Sequence, residues 1–136
     1  MKQIFLILSA TALIAAAGGC ARGGAYEPVN TSKYNQEETA RFVTLDAGAQ
    51  RSVACTQMQL GRTKDGRMQV SANLRNRENR RIEVQASCVF KDAQGFKLDE
   101  TPYRTVILDE NSIEGVTFES FSKEAANYTI RVREAR

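Results

Sequence analysis

The stretch Ile82–Lys91, I-E-V-Q-A-S-C-V-F-K, decides the fold of this chain because apolar and polar residues alternate along it almost without error. One face carries the apolar side chains Ile82, Val84, Ala86, Cys88 and Phe90. The other face carries Glu83, Gln85, Ser87 and Lys91, with Val89 as the exception. A period of two predicts a strand with one buried face and one solvent-exposed face. We therefore predict that this strand is the centre of a small antiparallel domain.

Short apolar alternations divided by turn residues lie on both sides of this strand. Met68–Leu74 alternates clearly, and the Asp65-Gly66 pair before it is typical of a hairpin with a type I′ turn. Further strands are predicted at 52–60, 96–98, 104–108, 113–118 and 128–133, with an edge segment at 42–45, turns at 46–49, 92–95 and 109–112, and a short helix at 122–127. About seven or eight short strands predict an all-β fold, a small antiparallel immunoglobulin-like β-sandwich, with a partly open barrel as the alternative.

Composition argues against several classes of function. The 136 residues include 19 Lys and Arg and 16 Asp and Glu, a net charge of +3 that does not indicate a nucleic-acid-binding protein. The absence of histidine excludes a Ser-His-Asp or Cys-His catalytic unit and the commonest zinc sites. The acidic pairs Asp99-Glu100 and Asp109-Glu110 are typical of turns and match no calcium loop. We predict a non-enzymatic protein without catalytic residues, metal ligands or a cofactor.

The N-terminus predicts export. After Lys2, residues 4–17 form a 14-residue, largely apolar run, which is too short to span a membrane but is typical of a secretory signal. The following Ala17-Gly18-Gly19-Cys20 resembles the lipobox of bacterial lipoproteins, with Ala17 where most members carry Leu. The resemblance implies cleavage before Cys20, a diacylglycerol and an N-acyl chain on that cysteine, and stable membrane anchoring. Lipoproteins of enteric-type bacteria that stay in the inner membrane carry Asp after the cysteine. By that resemblance, Ala21 favours the outer membrane, with the protein facing the periplasm.

Three regions follow from this leader. We predict a lipoprotein signal peptide over 1–19, the lipidated cysteine with a flexible linker over 20–40, and the β-sandwich domain over 41–136. The linker prediction rests on polar composition, Gly and Pro, and on the lack of a sustained apolar period. Residues 37–40 at its end favour a short helical turn leading into the domain.

The two remaining cysteines are Cys55 and Cys88, both in predicted strands. An oxidising compartment permits a disulfide between them, and the even count after lipidation of Cys20 agrees with one. Such a bond would close a segment of about 30 residues and contribute roughly 3–4 kcal/mol. The alternative is two separately buried thiols, because cysteine packs well as a small apolar residue.

A cluster of guanidinium groups is the most distinctive surface feature. Four arginines occur within seven residues in the connection before the central strand: Arg75, Arg77, Arg80 and Arg81. They could bind an anionic partner, such as lipid head groups, lipopolysaccharide phosphates, peptidoglycan carboxylates or an acidic protein patch. The alternative is a solvated loop between strands.

The second half of the chain resembles the YcfL-like family of bacterial lipoproteins, a domain of unknown function. The resemblance rests on the central strand with its following D-A-Q-G-F turn, on Thr105-Val106-Ile107-Leu108 and on the strand Tyr128–Val132. It implies an immunoglobulin-like sandwich on an outer-membrane lipid anchor, with no site residues to carry over. We expect an interaction module or accessory subunit that contacts an envelope protein or glycan. The alternative is a carrier or chaperone for a lipid or another small apolar ligand.

Overall fold

The fold was obtained as a computed structural model, which describes residues 35–135. Ten elements follow one another in these residues: α1 Asn35–Thr39, β1 Phe42–Thr44, α2 Ala47–Ser52, β2 Val53–Arg62, β3 Met68–Asn76, β4 Ile82–Lys91, β5 Lys97–Glu100, β6 Arg104–Leu108, β7 Ile113–Glu119 and β8 Asn127–Glu134. The predicted all-β sandwich is confirmed. Neither helix in this part of the chain has the length and apolar character that crossing a bilayer requires.

Two sheets form the sandwich. The five-stranded sheet has the order β1-β8-β4-β5, with β6 also paired to β4, and the three-stranded sheet has the order β2-β3-β7. β4 is the central strand because β8 pairs along one of its edges, while β6 and β5 pair with successive halves of the other. All pairings are antiparallel except that of β1 with β8.

The core lies between the inner faces of the two sheets. β3 contributes every second residue to it, and Val70 and Leu74 are fully buried. β4 contributes Val84, Ala86 and Phe90 from the opposite sheet. Burying each large side chain contributes about 1.5–3 kcal/mol, so this alternation holds the two sheets together.

The second half of β4 corrects one expectation. Ser87 and Lys91 were predicted on the solvent-exposed face, yet both are buried. Ser87 accepts a hydrogen bond from Arg131 Nη2 at 3.2 Å, and Lys91 Nζ donates to the carbonyl oxygens of Glu37 and Glu38. Arg131 and helix α1 therefore cover a face that alternation alone predicts to be in water.

Three local predictions also differ from the structure. Residues 46–49 begin helix α2 rather than forming a turn, because Asp46 caps the helix by accepting a hydrogen bond from Ala49 N at 2.7 Å. The hairpin before β3 is not a type I′ turn, since only Gly66 has a positive φ (87°), and Gly66 N bonds back to Thr63 O. Residues 122–127 form no helix, because the Ser122 hydroxyl accepts from Glu124 N in a short turn that leads into β8.

Candidate functional site

The predicted arginine cluster lies at one end of the sandwich, where β3 leads into β4. Arg75 is on β3 itself, and Arg77, Arg80 and Arg81 follow in the connection, with all four residues exposed. Arg80 forms an ion pair with Glu78, and Arg81 Nε lies 3.7 Å from Asp109 Oδ1. Two of the four charges are thus locally balanced. Among residues 35–135, Arg75 and Arg77 have no ion-pair partner.

Asn76 fixes the shape of this connection. Its fully buried side chain donates from Nδ2 to the carbonyl oxygens of Arg80 (2.7 Å), Asp109 (2.9 Å) and Leu108 (3.2 Å). Its Oδ1 accepts from Glu78 N at 2.9 Å. One amide therefore ties the arginine connection to the 109–112 turn. The sequence alone does not distinguish Asn76, because an Asn at a strand end is also common in solvated turns.

Glu78 is held from two sides. Its carboxylate accepts hydrogen bonds from the Ser52 hydroxyl at the end of α2 and from Arg80 Nε. The Ser52 hydrogen bond first, and then that of Arg80, lower the pKa of the Glu78 carboxyl from its usual range. The connection is consequently a structured loop whose positive charge is only partly balanced, and Arg75 and Arg77 are the part of it available to an anion.

A second cluster lies on the outer face of the five-stranded sheet. Arg131 and Arg133 occupy alternate positions of β8, so both project from this face. The Tyr103 ring lies over them, with its centroid 5.4 Å from Arg131 Cζ and 3.8 Å from Arg133 Cζ. We call Tyr103, Arg131, Arg133 and Gln85 the Tyr103 cluster. Stacking of guanidinium groups on an aromatic ring holds both partners in place.

The two arginines of the Tyr103 cluster have different surroundings. Arg131 is mostly buried and forms an ion pair with Glu100 in addition to its bond to Ser87, while its Nε has no hydrogen-bond partner among the described residues. Arg131 therefore has a structural role: it links Ser87 of β4 and Glu100 of β5 on the outer face of the sheet. Arg133 is exposed, donates from Nε to Gln85 Oε1 at 2.9 Å, and has no carboxylate at ion-pair distance within residues 35–135.

Arg133 also lines a groove of about 420 Å³ with Leu45, Asp46, Gln85 and Glu134. Its Nε–H is used by Gln85, and the described residues offer no acceptor to its terminal Nη groups. A guanidinium in this state is oriented and can still bind a carboxylate through two parallel hydrogen bonds. This site was not predicted from the sequence. The available signal was Arg131-Val132-Arg133, whose alternation places both guanidinium groups on one face, but nothing in the sequence shows that Tyr103 crosses over them.

Cys55 and Cys88 lie in different sheets, on β2 and β4, and both are free thiols that contact the core. Burial raises the pKa of the Cys88 thiol to about 12, and burial also raises the pKa of Cys55. A raised pKa favours the protonated thiol, which is the less reactive form of the side chain. A disulfide between them stays a prediction.

Three of the four carboxylates in the acidic pairs have structural partners. Asp99 Oδ2 accepts from Phe121 N and Ser122 N, Glu100 pairs with Arg131, and Asp109 lies beside Arg81. In residues 35–135, no three His, Cys, Asp or Glu side chains converge in a way that could hold a metal ion. The lipidation site Cys20, the signal peptide over 1–19 and most of the linker lie outside the described residues.

Comparison with known proteins gives a family and a fold. The family model "protein of unknown function (DUF1425)" matches residues 36–134. The crystal structure of Campylobacter jejuni cj0090 superposes with a TM-score of 0.58 at 12% identity, covering 70% of this chain and 98% of that one. A DUF1425 family member from Shewanella sp. pv-4 superposes with a TM-score of 0.52 at 17% identity, covering 62% of this chain and 77% of that one.

No curated protein matches the sequence. The two structural likenesses have low identity and therefore concern the fold alone, whereas the family match spans nearly all of the described domain. The chain belongs to the DUF1425 family of proteins of unknown function.

Proposed function

We propose that this protein is a non-enzymatic lipoprotein of the cell envelope, anchored by acyl chains on Cys20 to the outer membrane and facing the periplasm. In this proposal, the β-sandwich binds an envelope protein as an interaction module or accessory subunit. The anchor is supported by the apolar leader and the A-G-G-C motif at residues 17–20. Membership of a family without an assigned activity is compatible with a binding role.

The observation that carries the binding role is the state of Arg133. Its guanidinium stacks on Tyr103 at 3.8 Å and is oriented by Gln85, so little side-chain entropy remains to be lost when a partner binds. Arginine and tyrosine are also among the residues most enriched in the positions that dominate binding energy at protein interfaces. A partner carboxylate would accept hydrogen bonds from the terminal Nη groups of Arg133, which the described residues leave unused.

The groove around Arg133 favours a protein over a simple polyanion as the partner. Asp46 and Glu134 line it together with the half-exposed Leu45, so its surface has both signs of charge and an apolar contact. A surface of mixed charge selects a partner of complementary pattern, and Asp46 and Glu134 oppose the close approach of a uniformly acidic polymer. Arg75 and Arg77 lie in the arginine cluster, at the end of the sandwich that we call the arginine end. They offer a second contact to the same partner.

The test is crosslinking in living cells with the full-length protein, followed by identification of co-purified proteins and glycans by mass spectrometry. Arg133→Gln removes the guanidinium, while Arg104→Gln is the matched control. Arg104 also stacks on an aromatic ring, Phe118, at 4.7 Å, but lies outside the Tyr103 cluster. A third variant carries Ser at 75, 77, 80 and 81. All variants are compared at equal membrane level.

We expect one protein partner that is retained by Arg104→Gln and lost or strongly reduced with Arg133→Gln. A partner lost only in the four-serine variant would move the site to the arginine cluster. Recovery of glycan, or of bound lipid without any protein, would contradict a protein-binding module and favour a glycan-binding or lipid-carrier role. Anchoring is tested separately: Cys20→Ala should release the protein from sedimented membranes, and unchanged sedimentation would contradict the lipoprotein assignment.

A further inference from the structure

Three connections meet at the end of the sandwich opposite the arginine cluster. β4 runs from Ile82, beside the arginine connection, to Lys91, beside the 92–96 turn. Ala126 N donates to Lys91 O, and Asn127 Nδ2 donates to Asp92 O, which joins the 120–126 connection to that turn. Arg62 donates to the carbonyl oxygens of Lys123 and Ala125, which joins the β2–β3 hairpin to the same connection. We call this surface the Phe end.

The Phe end presents the two most exposed large apolar side chains in residues 35–135. Phe96 is 73% exposed in the 92–96 turn, and Phe121 is 70% exposed in the 120–126 connection. Asp99, three residues after Phe96, accepts a hydrogen bond from Phe121 N, so the two phenylalanines lie on adjoining backbone segments. Two phenyl rings turned into water on adjacent loops are typical of a contact surface rather than of a core.

The chain enters the sandwich at this same end. Lys91 Nζ holds the carbonyl oxygens of Glu37 (2.7 Å) and Glu38 (2.9 Å), which fixes α1 beside the last residue of β4. Glu37 and Glu38 also share a groove of about 340 Å³ with Gly95 and Phe96. The polypeptide that leads back from Asn35 to Cys20 therefore leaves from beside Phe96.

The separation along the chain limits how far the Phe end can be from an anchor at Cys20. Fourteen residues lie between Cys20 and Asn35, and at about 3.3–3.6 Å per residue they span at most roughly 50 Å. The flexible linker that the sequence predicts would have a root-mean-square span of roughly 20 Å. The ten-residue strand β4 separates the arginine cluster from the Phe end by roughly 30 Å. The described chain thus begins at the Phe end, and a bilayer anchored through Cys20 can be reached from this end without the linker passing along the sandwich.

Charge contributes little to this surface. Residues 62–67, 92–97 and 119–124 contain five basic and four acidic side chains, and α1 adds Glu37 and Glu38. Arg67 is also engaged by Asp65 and Glu119. A nearly neutral surface is not drawn to a bilayer by anionic head groups. Its contact with lipid would depend on the aromatic rings, which are suited to the boundary between head groups and acyl chains.

We propose that Phe96 and Phe121 insert into the bilayer to which the chain is anchored, so that the sandwich stands with its Phe end on the membrane and its arginine cluster toward the periplasm. This inference rests on the proposed lipid anchor at Cys20. The occupant of the Phe end is the phospholipid surface itself. The contact fixes the orientation of the domain, which leaves the Tyr103 cluster and the arginine cluster accessible to a partner.

The absence of tryptophan from the sequence makes a direct test possible, because a single introduced Trp is the only one in the protein. The full-length lipidated protein is reconstituted into vesicles of phosphatidylethanolamine and phosphatidylglycerol that contain acyl-chain-brominated lipid. Phe96→Trp and Phe121→Trp report on the Phe end. Ile113→Trp is the matched control, because Ile113 is a half-exposed (48%) apolar residue at the arginine end, opposite Arg75.

We expect blue-shifted emission and loss of intensity by bromine quenching at 96 and 121, with neither change at 113. High salt should leave the quenching unchanged because the surface is nearly neutral. The proposal is overturned if positions 96 and 121 are unquenched in vesicle-bound protein, or if all three positions are quenched alike. Mass spectrometry of the N-terminal peptide reports lipidation of Cys20 independently, so a missing anchor is distinguished from an anchored protein whose Phe end stays in water.

Discussion

At the scale of single residues, Asn76 occupies the last buried position in the alternation of β3, where a polar side chain needs hydrogen-bond partners. It is fully buried at the end of β3, with its amide nitrogen facing three carbonyl oxygens and its amide oxygen facing Glu78 N. Only a side chain with both a donor and an acceptor satisfies this arrangement. The connection R-N-R-E-N-R-R has no apolar residue that could hold it to the core. The hydrogen bonds of Asn76 hold it in place instead.

We predict that Asn76→Ala lowers the free energy of unfolding by about 2–3 kcal/mol, because several buried polar groups lose their partner. Asn76→Asp should cost at least as much, since a carboxylate places oxygen against three carbonyl oxygens. Urea unfolding at pH 7 measures both. Asn79→Ala is the control: Asn79 is exposed and accepts one hydrogen bond, from Asn111, so its loss should stay within about 0.5 kcal/mol. Equal losses at 76 and 79 would contradict the role assigned to Asn76.

At the scale of elements, strands were predictable where one face is buried and the other is in water. β3 and β6 lie where alternation or an apolar run places them, and β4 has the predicted bounds. The exposure of β4 was wrong in its second half, because what covers Ser87 and Lys91 comes from α1 and β8, which are distant in sequence. The Tyr103 cluster was unpredictable for the same reason, since Tyr103 and Arg133 belong to separate elements. The arginine cluster was found because its members are neighbours in sequence.

Helix α1 depends on Lys91 in a way that can be measured. Desolvation lowers the pKa of Lys91. Its buried ammonium group is satisfied because Glu37 O, Glu38 O and Thr129 Oγ1 accept hydrogen bonds from its three N–H donors. Lys91→Met keeps the apolar stem and removes these donors, so we expect a loss of roughly 1–3 kcal/mol in the free energy of unfolding. Amide hydrogen exchange should quicken over residues 35–40 and stay unchanged over 70–74 in β3.

Lys97→Met is the matched control for this experiment. Lys97 is exposed, and its ion pair with Glu100 leaves the ammonium group in contact with water, so its removal should change stability by less than about 1 kcal/mol. Exchange over residues 35–40 that is unaffected by Lys91→Met would show that α1 is held by something other than the buried ammonium group.

At the scale of the whole molecule, stability should be flat near neutral pH and fall in acid. No histidine is present, so no side chain with an unperturbed pKa titrates between about pH 5 and 8. Hydrogen bonds from Thr63 and Arg67 lower the pKa of Asp65 to about 2, and those from Ser52 and Arg80 lower the pKa of Glu78. A carboxyl whose pKa is lower in the folded state stabilises the protein above its unfolded-state pKa. That contribution is lost as pH falls toward the folded-state value.

We therefore expect the melting temperature to be constant from pH 8 to about 5 and to drop between about pH 4.5 and 2, the window between the ordinary carboxyl pKa values and the lowered one. The double variant Asp65→Asn, Glu78→Gln should start from a lower melting temperature at pH 7 and lose less of it on acidification, because the linked protons no longer bind. Glu114→Gln with Glu124→Gln is the control, since neither carboxylate has an ion pair or hydrogen bond within residues 35–135. If the double variant and the control showed the same acid response, the loss of stability would come from general charge repulsion. The carboxylates that connect α2 to the arginine end and brace the β2–β3 hairpin would then have no special part in it.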